Sequence, residues 1–479
     1  MSALPQSRPD PIPLCVDLDG TLTPIDTLHE SALALAREAP AALLSLPRWI
    51  SRGKAALKHE LAARAQIDVR HLPYRRDLLD WLRSERDRGR RLVLATAADR
   101  RIADAVAAHL GLFEEVIASN GTDNLSGRAK RAALVARFGE KGFDYVGNDA
   151  VDLKVWPSAR QAIVVGGRRL AARAAQHAEA GPVFVAKPPS PWLWVKATRL
   201  YQWVKNLLII VPALLSHRIA EPSVLGAAAL AFIAFGLCAS SVYLVNDLLD
   251  LDADRRHPRK RRRPFALGAL PARQGVAMAG VLALAAALIA VQVGPLFCAV
   301  LAAYYACTWA YSLRLKRAPI VDVMMLAGLY TIRLVAGGVA TGVGVTFWLL
   351  AFSMFLFLSL AVVKRYAELR DAARAGLTQP AGRGYGADDL PLLLSLGTAS
   401  GFASVVVLAL YINSPQSEQL YRDARPLWLI CPLLLYWICR VWLLTSRGRM
   451  HDDPIVFALR DRLSLAIIGV IATIVMVAI

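Results

Sequence analysis

Acidic residues and charge in general are scarce in this 479-residue chain. Charged residues make up 19% of it, against about a quarter in an ordinary soluble chain. Asp plus Glu number 37 and Lys plus Arg 56, a formal net charge of +19. Cysteine is equally sparse: Cys15, Cys238, Cys298, Cys307, Cys431 and Cys439, five of them inside apolar runs and none in a Cys-x-x-Cys pair. A disulfide framework and a cysteine zinc site are thereby excluded. The eight histidines form no cluster with ligand spacing. Met1–Pro13 is polar and Pro-rich, with none of the apolar core of a signal peptide, so none is expected.

Apolar residues are abundant at 56%, with a mean hydropathy of +0.41 beside a pI near 10.0. That pair excludes disorder and fits apolar spans alternating with basic connections, as in a membrane protein. The basic runs fall between apolar runs, so no nucleic-acid partner is expected. Composition breaks near residue 190. Before it, short apolar runs at Leu14–Val16, Leu92–Ala95, Val116–Ala118, Asp144–Val146 and Ala162–Val165 alternate with helical stretches, an α/β pattern. Ala186–Pro191 (AKPPSP) is a Pro-rich connector. The expected division is a domain at 1–186, a linker at 187–198 and an all-α membrane bundle at 199–479. Nine spans are expected, at 203–219, 223–246, 273–292, 294–312, 320–340, 345–363, 391–412, 426–446 and 463–479, most near the ~20 residues that cross hydrocarbon. Basic residues gather after spans two, four, six and eight. The expectation is therefore an integral protein of a bacterial-type inner or plasma membrane, with a cytoplasmic N-terminal half and an external C-terminus.

Val16-Asp17-Leu18-Asp19-Gly20-Thr21-Leu22 follows the first apolar strand. Two acids two apart at a strand end can face one crevice, one to attack phosphorus and the other to handle a leaving-group proton. The stretch resembles the haloacid dehalogenase (HAD) phosphohydrolases, and later residues follow that family's order. Thr96 resembles its phosphate-contacting Ser/Thr, Lys130 its phosphate-binding lysine, and Gly147-Asn148-Asp149-Ala150-Val151-Asp152 its acidic Mg²⁺ motif. The resemblance covers about residues 12–165. It implies a Rossmann-like α/β fold with a helical cap at about 28–72. It also implies Asp17 as nucleophile, Asp19 as general acid/base, and Asp149 or Asp152 supporting a metal that Asp17 and Asp19 also ligate. Asn148 departs from the family, which has Asp there.

Asn246-Asp247-Leu248-Leu249-Asp250-Leu251-Asp252-Ala253-Asp254 closes the second span. On a continuing helix, residues 247, 250 and 254 share a face. Carboxylates so gathered repel unless a cation lies between them, and hard oxygens beside a phosphorylated substrate suit Mg²⁺. Arg255 to Arg263 then supply seven cations, fit to clamp phosphates or to serve as a topogenic loop. The pattern resembles the UbiA superfamily of intramembrane transferases over about residues 195–479, with Asn246, Asp247, Asp250 and Asp254 matching its hallmark motif. That resemblance implies nine helices and catalysis by transfer from a Mg²⁺-bound diphosphate.

The counterpart of the family's second motif, Tyr311-Ser312-Leu313-Arg314-Leu315-Lys316 followed by Asp322, holds a single acid among cations. This suits one metal and a heavily phosphorylated donor. It is most similar to the decaprenyl-phosphate phosphoribosyltransferase branch, as are Gln202-Trp203-Val204-Lys205-Asn206 and His257–Pro264. The resemblance implies phosphoribosyl pyrophosphate as donor and a polyprenyl phosphate as acceptor. Asp247 and Asp250 would be catalytic, and Asp247, Asp250, Asp254 and Asp322 metal-binding. Asn246, Lys205, Lys260, Arg263, Tyr311 and Lys316 would contact substrate. Alternatives are an aromatic prenyltransferase and a non-catalytic lipid-binding or transport scaffold. Expected partners are a polyprenyl lipid, a phosphorylated small-molecule donor and membrane lipids, with self-association open. Three weaker signals remain. Lys364-Arg365-Tyr366 with Glu368 is a candidate for the same mouth or an interfacial anchor. Arg383-Gly384-Tyr385 is a candidate lid or a plain loop. Arg333, inside a span, calls for a cavity or a partner acid.

Overall fold

A computed structural model describes residues 12–185, 189–374, 376, 384–450 and 453–479. It divides into two compact units, Met1–Thr198 with Leu244–Met278, and Arg199–Tyr243 with Ala279–Ile479.

In the first unit, six parallel strands form one sheet in the order β3-β2-β1-β4-β5-β6. They are β1 (Leu14–Val16), β2 (Leu92–Asp99), β3 (Glu115–Ser119), β4 (Asp144–Gly147), β5 (Gln161–Val165) and β6 (Glu179–Phe184). The five expected strands are present. β6 was missed because its residues are mostly exposed and carry no apolar run. Residues of β1 are fully buried on both faces, as a central parallel strand requires. Leu14 pairs with both Leu92 and Asp144, so β1 sits where the strand order reverses. Crevices that hold ligands open at that point, beyond the carboxyl ends of the strands. Between β1 and β2 lie helices Thr27–Glu38, Leu46–Ser51 and Lys54–Arg64, which bury Leu35, Trp49, Leu61 and Ala65 in a small core of their own.

The same unit takes in Leu244–Met278, which the sequence division assigned to the membrane bundle. Packing explains the difference. Gly268, at φ +67°, lies so close to Pro24, Ile25 and Pro73 that a Cβ there would come within 2.7 Å of Pro24. Phe265 meets Trp194 edge to face at 6.2 Å. Arg255 forms a buried bidentate pair with Glu30 at 2.8 and 2.9 Å.

Among the described residues, seven helices are long and apolar enough to cross a membrane: Pro222–Leu249, Ala272–Val293, Pro295–Leu313, Val321–Thr341, Phe347–Arg374, Ala387–Ile412 and Arg425–Ser446. They coincide with the second to eighth expected spans. The first and ninth are shorter, Leu200–Leu215 and Arg462–Ala478, so the expected nine are not all found. The first is tight 3₁₀ turn at Leu200–Ile209 followed by a five-residue helix containing Pro212, and proline forbids a regular continuation. Ala272–Val293 is mostly exposed along its apolar length. Val276, Val281, Leu284, Leu288 and Val291 lie exposed along it, a surface suited to lipid and not to water.

In the second unit, helix Val321–Thr341 presses Gly337 against the carbonyl of Ile209, where an added Cβ would sit 2.0 Å from the oxygen. Gly337→Ala should therefore destabilise the chain by about 1–3 kcal/mol, the usual range for overpacking. Gly280, with open space around it, is the control. Thermal melting in detergent should show a lower midpoint for Gly337→Ala and none for Gly280→Ala.

Candidate functional site

Beyond the end of β1, the Asp17 amide donates to Val146 of β4 at 3.1 Å, which keeps the acid-bearing loop at the strand reversal. Asp17 Oδ1 accepts from the Leu18 amide and pairs with Lys130 Nζ, each at 2.9 Å. Lys130 is buried and also donates to the Tyr145 hydroxyl at 2.8 Å. Tyr145 passes the chain on to Asp152 Oδ1 at 2.9 Å. Asp152 Oδ2 accepts from the amides of Asn148 and Asp149 at 2.9 and 3.0 Å. Asp17, Lys130 and Asp152 are thus brought together as expected, through a tyrosine that no motif signalled.

Asp19 accepts from the Thr27 amide and hydroxyl at 2.9 and 3.2 Å. Burial, aided by the nearby charge of Asp26, pushes its carboxyl up to about 7. Thr96, fully buried, uses its oxygen to accept from the Ala98 amide and so shapes its own turn. Lys58, from the helix Lys54–Arg64, reaches Ala97 O at 2.6 Å and Asn124 Oδ1 at 3.0 Å. Burial lowers its pKa, while the charges of Asp19 and Asp26 oppose that shift. Nothing in the Lys54–Arg64 sequence signalled this second cation.

The expected Mg²⁺ set is not assembled in this crevice. Asp149 caps the turn Ala150–Lys154 through the Val151 amide. Asp152 holds its own loop, and both oxygens of Asp19 are turned to Thr27. Asn148, where the resembled family has an acid, accepts from the Thr21 hydroxyl at 2.9 Å, and its amide lies over Gly20. Among the described residues, no three His, Cys, Asp or Glu side chains gather as metal ligands.

The second acid cluster lies at the end of helix Pro222–Leu249. The helix does not run on unbroken. Asp250 leaves helical geometry at φ −97°, ψ 15°, and a short helix restarts at Leu251–Arg256. The single-face argument for residues 247, 250 and 254 therefore fails in part. Asp247 and Asp254 still converge, because Arg263 Nη1 lies between them at 3.0 and 2.7 Å. Both carboxylates are buried, and burial raises Asp254. Asp250 stays half-buried, joined by its amide to the carbonyl of Asn246. Lys260 is exposed on the turn Lys260–Arg262. Two carboxylates converge on one positive charge, hard oxygen of the kind Mg²⁺ takes, with no third acid gathered beside them among the described residues.

The second unit holds a separate polar network. Asp453 accepts from Lys205 Nζ at 2.7 Å and from the Tyr330 hydroxyl at 3.0 and 3.1 Å, with Lys364 at 3.8 Å. Burial alone would raise its carboxyl, yet Lys205 and Lys364 hold it at about 2. Lys205, expected on a phosphate, is thus ion-paired, and Asp453 went unsuspected. Its only sequence signal was its position before Pro454, where its side chain caps a short helix. Among the described residues, Arg333 meets no acid. It donates to Asn206 Oδ1 at 3.1 Å and the Tyr304 hydroxyl at 2.9 Å.

Asp322, expected as a metal ligand, is an ion-pair acceptor instead. Arg365 takes one oxygen at 2.6 Å and the Tyr385 hydroxyl the other at 2.7 Å. Arg365 is fully buried and also pairs with Glu368, which excludes a role as interfacial anchor. Tyr311 meets the same guanidinium at 3.4 Å, and Lys316 is half-buried on the turn Leu315–Arg317. Tyr385 is buried, not a loose lid, and Arg383 lies outside the described residues.

Residues 207–464 match the family model described as UbiA prenyltransferase family. The chain belongs to the UbiA prenyltransferase family. With its seven apolar helices, this UbiA member is an integral membrane protein and a transferase by family. Residues 14–153 match the haloacid dehalogenase-like hydrolase model, so a HAD-like domain precedes the UbiA domain. The protein y4nM of Sinorhizobium fredii is 38% identical over 96% of this chain and 90% of its own length. The nodulation protein NoeC of Azorhizobium caulinodans is 35% identical over 57% and 89%. The decaprenyl-phosphate phosphoribosyltransferase of Mycobacterium tuberculosis is 39% identical over 40% of this chain and 66% of its own length. A UbiA homolog from Archaeoglobus fulgidus bound to GPP and Mg²⁺ superposes with a TM-score of 0.47 at 16% identity, covering 59% of this chain and 99% of that one.

The raised carboxyl of Asp19 makes a pH prediction. The folded chain keeps this proton where an unfolded chain has released it. Asp19 therefore costs increasing stability as pH rises from its ordinary 3.8 to about 7, and no more above that. Were Asp19 the proton donor that the resemblance implies, activity would fall over the same upper range. Phosphoester cleavage by the UbiA member should fall as pH passes about 7. In Asp26→Asn, which keeps the helix cap and removes a charge, the fall should move to lower pH. A pH profile of kcat that is unchanged by Asp26→Asn would refute the assignment.

Proposed function

We propose that this chain transfers a phosphoribosyl group from a diphosphate donor to a polyprenyl phosphate. The observation that carries the reading is the buried carboxylate pair Asp247 and Asp254, gathered on Arg263. The second motif offers no matching acid site, because Asp322 is committed to Arg365 and Tyr385. A single acid cluster amid cations suits a donor whose leaving diphosphate needs one metal and whose other phosphates meet lysines and arginines. The likeness to a protein named decaprenyl-phosphate phosphoribosyltransferase supports it.

In this reading, Asp247, Asp250 and Asp254 would hold Mg²⁺, whose charge offsets that of the leaving diphosphate. Asn246 borders the same turn. Arg263 keeps the two buried carboxylates from repelling each other and releases an oxygen of each when donor arrives. Lys260 and Lys316 would engage the remaining phosphates. Lys205, freed from Asp453, would hold the lipid phosphate. The rate gain comes from placing the acceptor oxygen against the sugar carbon and from fixed charge, with no covalent intermediate.

The HAD-like domain would remove a phosphate from the lipid product or from a related ester. Asp17 would attack phosphorus as Asp19 gives its proton to the leaving oxygen, with Lys130 balancing charge on the phosphoryl group; water, losing a proton to Asp19, would then split the aspartyl phosphate and release phosphate. Both reactions would face the cytoplasm, with the C-terminus on the other side of the membrane.

Two measurements test the reading. Membranes containing the chain, given labelled phosphoribosyl diphosphate and a polyprenyl phosphate, should form labelled lipid only with Mg²⁺, and Asp247→Asn should lower the rate by at least about 100-fold. Labelled prenyl diphosphate joining an aromatic acid instead would mean an aromatic prenyltransferase, and no transfer at all a scaffold. Asp17→Asn should abolish phosphoester cleavage and leave lipid labelling intact.

A further inference from the structure

The buried pair between Glu30 and Arg255 joins positions 225 residues apart. Its two ends lie beside the two chemistries. Glu30 occupies the first turn of helix Thr27–Glu38, and Thr27 of that turn holds both oxygens of Asp19. Arg255 directly follows Asp254. All three of its guanidinium nitrogens are used: two on the Glu30 carboxylate at 2.8 and 2.9 Å, and Nε on the carbonyl of Ala266 at 3.1 Å. Arg255 thereby pins the helix Leu251–Arg256 to the returning segment at Ala266. Those two pieces carry Asp254 and Arg263, the partners that meet with Asp247. At the rim, Arg256 pairs with Asp68 at 3.1 Å.

We propose that Arg255 is a positioning residue of the transferase site, anchored by Glu30, so that the HAD-like domain is a working part of that site. The proposal rests on Asp247 and Asp254 being the diphosphate site. A guanidinium fork on a carboxylate is rigid in direction as well as distance. It sets the angle at which Asp254 meets Arg263 and Asp247, and an error of about 1 Å in such a placement costs up to 100-fold in rate. The pair also gives the two activities a contiguous physical link. Asp19, Thr27, Glu30, Arg255, Asp254 and Arg263 form one run of bonded neighbours, broken only by single turns of helix.

The experiment uses the full chain in membrane vesicles. Glu30→Gln and Arg255→Lys, assayed below the melting transition that loss of the buried pair lowers, should each lower kcat for lipid labelling at least about tenfold, with KM for the polyprenyl phosphate unchanged. Exchange of the charges, Glu30→Arg with Arg255→Glu, should restore part of the rate. A second readout needs no transfer. Magnesium with inorganic diphosphate should protect Arg256–Arg263 from trypsin in the parent chain and not in Glu30→Gln. Parent-like transfer and protection in both single variants would overturn the proposal. So would a rate loss matched by a lower melting transition and not recovered by the exchange. A parent chain that is protected but transfers neither group refutes the reading of the reaction, while the protection of Glu30→Gln still decides the anchor.

Discussion

An ionised side chain taken out of water must meet an opposite charge or several hydrogen-bond partners, and breaking such a match costs about 3–5 kcal/mol. In a chain that is 56% hydrophobic, this constraint decides where chemistry can be placed. Each candidate site is a solution to it. Asp17 is matched by Lys130, Asp247 and Asp254 by Arg263, Asp453 by Lys205 and Tyr330, and Asp322 by Arg365 and Tyr385. The matches differ in permanence. Arg365 and Asp322 are fully enclosed and read as scaffold. Arg263 remains partly accessible, its side chain 27% exposed, and a charged ligand can compete for its partners.

Much of this was legible in the residues. The parallel sheet followed from five apolar runs, and the acid loop at the end of β1 from two aspartates two apart. The middle seven spans followed from run length alone. The failures share a cause: linear spacing does not record what a side chain turns toward. Asp322 looked like a ligand by type and motif, but Arg365 and Tyr385, 43 and 63 residues away, claim both its oxygens. Asp453, Lys58 and Tyr145 belong to no pattern of spacing, and only the fold brings them to charged partners. The helical reading of residues 247–254 failed for a local reason, one non-helical residue at Asp250.

The HAD-like half departs from its family at one position, and the structure gives that departure a physical form. Asn148 does not leave a gap. Its oxygen takes the Thr21 hydroxyl, and its amide covers Gly20, whose φ of +75° and lack of Cβ make room for it. The loop is closed by neutral hydrogen bonds where an acid would carry charge. The raised carboxyl of Asp19 has other causes, its own desolvation and the nearby charge of Asp26.

The pairing of Glu30 with Arg255 also bears on the order in which the chain is made. The strands that frame Asp17 are complete in the emerging polypeptide long before residue 255 is synthesised. Until then Glu30 has no Arg255 to meet. Its partner arrives only after the first long apolar helix, Pro222–Leu249, has been delivered to the lipid. Closing a loop of 225 residues carries an entropic penalty that grows only slowly with length. The delay is therefore one of waiting for biosynthesis and insertion. The sheet domain has to persist beside the ribosome with an acidic side chain still in water, and the bond that completes it marks the arrival of the membrane half.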